Sequence, residues 1–147
     1  MIAVDTNILV YAHRADSPWH DSAAACIRGL AEGTVPWAML WPCVHEFLAI
    51  VTHPRIYSPP TPQARAVAQV EAWLDSPAVA MLGETLGYWR VLAQLLESAK
   101  TAGAQVHDAR IAALCLHHRI GELWSADRDF SRFGNLHVRN PLPARTG

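Results

Sequence analysis

Short β-type runs alternate with segments of helical periodicity along the chain, and this alternation constrains the fold more than any other feature. The β-type runs lie at residues 2–4, 35–40, 78–82, 122–125 and 136–138. The helical segments lie at about residues 8–12, 23–31, 42–53, 62–74, 86–99 and 107–119, and Gly103 is expected to end the fifth. Alternation of this kind predicts a mostly parallel sheet with helices on both faces, which is a three-layer α/β/α fold.

Length and composition fit one globular domain over residues 1–147. The hydrophobic fraction is 51% and the charged fraction 17%, and 147 residues are enough to bury a core. The formal net charge of −1 argues against a protein held on nucleic acid by bulk positive charge, so any such contact must be local or supplied by a partner. The tail after about residue 141 is expected to be loose.

The cysteines and the N-terminal sequence favour a cytoplasmic protein without a membrane span. There are three cysteines, an odd number, and no C-x-x-C pair, which argues against a disulfide framework and against a thiolate zinc site. Reduced cysteines are typical of the cytosol. The apolar stretch Met1-Ile2-Ala3-Val4 is too short for a signal peptide or a membrane helix.

Two acidic residues follow predicted strands. Asp5 comes directly after the first β-type run, and Asp127 comes just past the fourth, so both are expected at the edge of the sheet where ligands bind in open α/β folds. The structural alternatives are that Asp5 only caps the next helix and that Asp127 belongs to a surface turn. Ser125, between strand and acid, is expected to cap that turn or to hydrogen-bond an acid.

Two further acids lie on predicted helices. Glu46 shares a helix face with Ala49 and Ile50, so it is expected to be buried or at the edge of a cleft. Asp108 shares a face with Ile111 and lies in the first turn of its helix, where the helix dipole favours an anion. Taken singly, a salt bridge explains Glu46 and charge complementation explains Asp108.

The combination of four acids is more specific than any one of them. If the four carboxylates converge, their repulsion requires compensation, and hard cations with oxygen ligands supply it. Mg²⁺ fits such a site, and Mn²⁺ is a plausible substitute. A site of this kind suits phosphodiester hydrolysis. Near it, His107 is a candidate for contact with a substrate phosphate, and Trp37 and Trp41 are candidates for stacking on a base, although packing is the simpler role for them.

Several stretches, in order along the chain, resemble the PIN-domain nucleases and, within that family, the VapC-type toxins. The longer stretches are Ile2-Ala3-Val4-Asp5-Thr6-Asn7-Ile8-Leu9, Trp41-Pro42-Cys43-Val44-His45-Glu46-Phe47-Leu48, His107-Asp108-Ala109-Arg110-Ile111-Ala112-Ala113 and Ser125-Ala126-Asp127-Arg128-Asp129-Phe130. The shorter ones are Thr52-His53-Pro54-Arg55-Ile56 and Asn140-Pro141-Leu142. The likeness covers nearly the whole chain.

The resemblance implies a five-stranded parallel sheet and a metal site at its edge. The site residues that it implies are Asp5, Glu46, Asp108 and Asp127. It further implies that Asp5 and Asp108 bind metal most directly and that Asn7 and Ser125 support them, with Asp129 as a fifth acid of less certain role. It implies an endoribonuclease that forms homodimers and is silenced by a small antitoxin protein.

One position departs from the family pattern, and two other function classes stay open. Ala126 stands where a polar residue is common, so local hydrogen bonding there is expected to differ. A phosphotransfer protein with Asp5 as acceptor needs a second acid where Asn7 stands and a late lysine, and Lys100 is the only lysine. A non-catalytic module would bind RNA or protein through the same cleft without cutting it.

Overall fold

The computed structural model describes residues 1–144, in which the chain forms five strands, six α-helices and one 3₁₀ helix. The strands are β1 (Ile2–Val4), β2 (Trp37–Leu40), β3 (Val79–Leu82), β4 (Glu122–Trp124) and β5 (Val138–Arg139). The α-helices are α1 (Thr6–His13), α2 (His20–Glu32), α3 (Trp41–Val51), α4 (Gln63–Leu74), α5 (Tyr88–Ser98) and α6 (Gln105–His117). The 3₁₀ helix is Arg128–Arg132.

The strands form one parallel sheet with β1 at its centre. The strand order is β3-β2-β1-β4-β5, and every pairing is parallel, which confirms the predicted sheet. Val4 is in register with Met39 on one side and with Trp124 on the other. The Asp5 N–H continues this ladder by donating to the Trp124 carbonyl at 2.9 Å. The first acid of the chain is therefore fixed at the middle of the carboxyl edge of the sheet.

Apolar residues on both faces of the central strands are covered by helices. Ala3 and Val4 point to opposite faces of β1, and both are fully buried, as is all of β2. Helices α1 and α2 pack on each other, as do α5 and α6. The edge strand β3 is half-buried throughout. None of the helices in residues 1–144 has the length and apolarity needed to cross a bilayer.

The second strand and the fifth helix differ from the prediction in their boundaries. Strand β2 begins at Trp37 because Pro36 lacks the N–H that a ladder needs. Helix α5 begins after Gly87, whose φ of 92° turns the chain and leaves Leu86 fully exposed. The helix ends at Ser98 and not at Gly103, because the chain leaves it through Lys100, which takes the left-handed conformation with φ 50°.

One residue of the C-terminal tail packs against the hydrophobic core. Leu142 is only 8% exposed and belongs to the hydrophobic core, and its N–H donates to the Asn140 side-chain oxygen at 3.0 Å. Leu142 thus packs on the core, while the looseness of the tail as a whole after about residue 141 stays a prediction. Residues 145–147, the end of that predicted tail, lie outside the described residues.

Candidate active site

Carboxylates from four separate segments line one small pocket at the carboxyl edge of the sheet. We call it the acidic pocket, and its volume is about 110 Å³. Its carboxylates are Asp5, Glu46, Asp108 and Asp127. Asp5 follows β1, Glu46 lies on α3, Asp108 is in the first turn of α6 and Asp127 follows β4. The structure thus brings together all four acids that the sequence singled out, and it places Asn7 on the same pocket wall.

Asp5 both caps a helix and faces the acidic pocket. Its Oδ1 accepts the Thr6 N–H at 2.8 Å, which caps α1, and its Oδ2 accepts the Ser125 hydroxyl at 2.7 Å. The side chain is buried, with 6% of the residue exposed. The pKa of the Asp5 carboxyl is raised to about 6. Burial is the main cause, the charges of Glu46 and Asp127 add to it, and the two hydrogen bonds lower the pKa in part. The same carboxyl thus caps α1 and lines the acidic pocket, while its part in catalysis stays a prediction.

Glu46 lies at the edge of the cleft and is held there by a threonine. Its side chain is exposed toward the pocket, while Val44 and Phe47 on other faces of α3 are buried. The Thr6 hydroxyl donates to Glu46 Oε2 at 2.9 Å. Sequence reasoning assigned no role to Thr6, because the contact joins residues that are far apart in the chain. It equally missed Cys43, a buried thiol whose Sγ lies 3.8 Å from Asp5 Oδ1.

Three carboxylates in the described part of the chain lie close enough to share one cation. They are Asp108, Asp127 and Asp129, and each offers an oxygen within 4.8 Å of the other two. Burial raises the pKa of Asp108, and the negative charges of Asp127 and Asp129 add to that rise. Asp129 thus belongs to the cluster, whereas Asp5 is not one of these three. Direct binding of metal by Asp5 together with Asp108 stays a prediction.

The turn after β4 connects the acids through backbone and hydroxyl groups. The Ser125 hydroxyl donates to Asp5 and also accepts the Asp127 N–H at 3.0 Å, which confirms the expected hydrogen bond to an acid. The Ala126 N–H donates to the Asn7 side-chain oxygen at 3.2 Å. At this position the backbone, and not a polar side chain, makes the link to Asn7.

The remaining candidates from the sequence divide between the pocket and the core. His107 lines the acidic pocket. Trp37 is fully buried in β2 and donates to the Ser76 hydroxyl, so the base-stacking hypothesis is wrong for it. Trp41 is 41% exposed at the start of α3, outside the acidic pocket. Lys100, which the phosphotransfer interpretation requires, follows α5 and does not line the acidic pocket.

Known proteins resemble this chain along nearly its whole length. The family model of the PIN domain matches residues 2–136. Ribonuclease VapC48 of Mycobacterium tuberculosis is 35% identical over 138 residues, which cover 94% of this chain and 95% of that protein.

Two solved structures show the same fold. VapBC2 from Rickettsia felis, solved bound to a DNA fragment from its promoter, gives a TM-score of 0.69 at 20% identity over 95% of this chain and 98% of that one. VapC20 of Mycobacterium tuberculosis, described as a sarcin-ricin loop cleaving toxin, gives a TM-score of 0.64 at 19% identity over 89% of this chain and 93% of that one.

Proposed function

The chain belongs to the PIN-domain family and to its VapC-type ribonucleases, and from that premise we propose that it is an endoribonuclease toxin that cuts RNA at the acidic pocket with a divalent metal ion. The observation that carries this proposal is the convergence of four carboxylates at the carboxyl edge of a parallel sheet.

The chemistry of the acidic pocket fits a hard divalent cation. Its carboxylate ligands offer only oxygen, which favours Mg²⁺, with Mn²⁺ as a substitute. The raised pKa values of Asp5 and Asp108 show that these carboxylates are held where their charge is disfavoured, and a cation relieves that cost. We expect Asp5 and Asp108 to bind it most directly, and Glu46 and Asp127 directly or through water, with Asp129 adding a further oxygen. The chemistry that the ion supplies when bound is a lowered pKa of a water and neutralisation of phosphate charge.

The protein's own side chains hold the carboxylates in place before RNA arrives. The Ser125 hydroxyl fixes Asp5 Oδ2, and the Thr6 hydroxyl fixes Glu46 Oε2. The Asp127 carboxylate accepts the Asp129 N–H at 2.8 Å, which orients it at the start of the 3₁₀ helix. Side chains already locked by hydrogen bonds lose little freedom on binding, so the geometry that cleavage needs is largely prepared.

The partners that we propose follow from the family. RNA is the proposed substrate, since the relatives named above are a ribonuclease and a loop-cleaving toxin. A cognate small antitoxin protein is the proposed inhibitor, which the likeness to VapBC2 supports. We further propose a homodimer that acts in the cytoplasm, where three free cysteines stay reduced.

The proposed function is tested by incubating the purified, partner-free protein with total cellular RNA and Mg²⁺. Discrete fragments are expected, and they should vanish in EDTA and in the Asp108→Asn variant, whose rate should fall on the order of 10³-fold. Asp75→Asn is the matched control, because Asp75 is an exposed acid outside the acidic pocket. Binding of RNA without any cleavage in Mg²⁺ or Mn²⁺, by protein shown to be folded, would favour the non-catalytic module instead.

Replacing Ser125 with alanine is expected to shift the acidic limb of the pH–rate profile to higher pH. The Ser125 hydroxyl lowers the pKa of Asp5, so its loss raises that pKa and delays ionisation as the pH increases. The rate on the plateau should stay within about tenfold of the wild type, because the variant loses the hydrogen bonds of Ser125 to Asp5 and Asp127 but keeps all four carboxylates. Ser98→Ala, at the exposed end of α5, should leave the profile in place. An unshifted limb in Ser125→Ala would show that Asp5 does not set it.

A further inference from the structure

A second pocket adjoins the acidic pocket, and we call it the flanking pocket. It has a volume of about 540 Å³ and lies between α3 and α6. The two pockets share four lining residues, so they form one continuous depression: Glu46, His107, Asp108 and Ile111. A depression of this size takes a ligand as large as a nucleotide.

The part of the flanking pocket beyond the acids carries hydrogen-bond donors. Arg110 and His107 come from α6, and His45 comes from α3. Both histidines are exposed, and an imidazole offers an N–H whether neutral or charged. Between these donors the wall is apolar, formed by small side chains such as Ala49 and Ala104. Donors around an apolar wall match a phosphate attached to a sugar and a base.

Arg110 is held by an ion pair with Glu84, which is not one of the acids of the acidic pocket. Its Nε donates to Glu84, which follows β3, and this hydrogen bond holds the pKa of the Glu84 carboxyl below its ordinary value. Arg110 lines the flanking pocket and does not line the acidic pocket. Because the contact with Glu84 uses Nε, the Nη groups remain to meet a ligand, and a planar guanidinium suits phosphate oxygens.

From these contacts we propose that the flanking pocket binds the nucleotide next to the scissile bond, with the Arg110 guanidinium on its phosphate and His45 and His107 as further donors. The inference rests on the proposed function, since it takes the acidic pocket as the site of cleavage. It also accounts for how a chain with a net charge of −1 holds a polyanion, because the basic contact is local.

A binding measurement that needs no cleavage tests this inference. The probe is a short fluorescein-labelled oligouridylate, titrated by fluorescence anisotropy in Mg²⁺ at several salt concentrations, in the Asp5→Asn background to prevent cutting. Adding Arg110→Ala is expected to raise Kd about tenfold. It should also reduce the slope of log K against log salt by about 0.7, the value for one phosphate contact on a single strand. Arg28→Ala, which removes an exposed arginine of α2 outside the flanking pocket, should change neither value.

A second readout separates this inference from the proposed function. On an RNA that the wild type cuts, Arg110→Ala should raise KM about tenfold and leave kcat nearly unchanged, because it removes binding to substrate and transition state alike. Arg110→Gln replaces it if the alanine variant does not fold. An unchanged Kd and salt slope, or no binding of the probe, would overturn the inference even if RNA is cut. A failure to cut any RNA would overturn the proposed function, while the titration still decides whether the flanking pocket binds phosphate.

Discussion

Replacing Asp5 with asparagine is expected to reduce RNA cleavage on the order of 10³-fold or more and, at the same time, to make the protein more stable in EDTA. Activity falls because the variant loses a carboxylate from the acidic pocket. Stability rises because the buried carboxylate is costly without a cation, whereas an amide of the same shape is neutral and can still bond to Ser125 and Thr6.

The gain in stability depends on pH, and its sign follows from the pKa of Asp5. That pKa is about 6 in the folded protein and near 3.8 in an unfolded chain. The favourable contribution of protonated Asp5 is therefore complete below about pH 3.8 and is lost as the pH rises through 6. The difference amounts to about 3 kcal/mol of unfolding free energy at neutral pH. In urea unfolding with EDTA, the free energy of unfolding of Asp5→Asn should clearly exceed that of the wild type at pH 7.5 and not at pH 4.

Added Mg²⁺ should reverse this order of stability. The ion binds the folded wild type and raises its unfolding temperature, and it should have much less effect on Asp5→Asn. Asp75→Asn, with its exposed acid, should follow the wild type in both conditions. A variant that is less stable than the wild type in EDTA at pH 7.5 would contradict the view that the Asp5 charge is held at a cost.

Replacing Phe47 with alanine is expected to lower the free energy of unfolding by about 3–5 kcal/mol. Phe47 is fully buried on α3, and its ring meets that of Trp73 edge-on, with centroids 4.9 Å apart. It also lies 5.3 Å from the ring of His13, so the substitution leaves a cavity between α1, α3 and α4. Thermal and urea unfolding measure the loss.

The matched control for the core is Val67→Ala on α4. Val67 is exposed, so its truncation should change the free energy of unfolding by no more than about 0.5 kcal/mol.

The Phe47→Ala variant should keep most of its cleavage rate per folded molecule at low temperature. Glu46 precedes Phe47 in the chain, but the hydrogen bond from Thr6 holds its carboxylate in place. A loss below about 1 kcal/mol would mean that the neighbouring helices close the cavity.

The parts of the fold and site that the sequence predicted are those set by local pattern. The apolar run before Asp5 and the β-type run before Asp127 indicate buried parallel strands. Because parallel strands all end at the same edge of the sheet, an acid that directly follows such a strand must lie at that edge. The helical periodicity around Glu46 and Asp108 likewise fixed which elements carry them. The sequence left convergence of the four as a condition, and it is the structure that brings them to one pocket.

The parts that the sequence did not predict depend on contacts between distant residues or on single backbone conformations. The Thr6–Glu46 hydrogen bond and the Arg110–Glu84 ion pair each join separate elements, and no spacing along the chain indicates them. The end of α5 depends on Lys100, a residue type that seldom takes positive φ, so glycine was the more reasonable expectation.

The central position of β1 has a consequence for when the acidic pocket can exist. Asp5 is synthesised more than a hundred residues before β4, which is its neighbour in the sheet on one side. A nascent chain that stops before β4 has neither the serine that holds Asp5 nor Asp127 and Asp129. The order of strands thus means that a nascent chain carries no complete set of acids until β4 and the turn after it have been made.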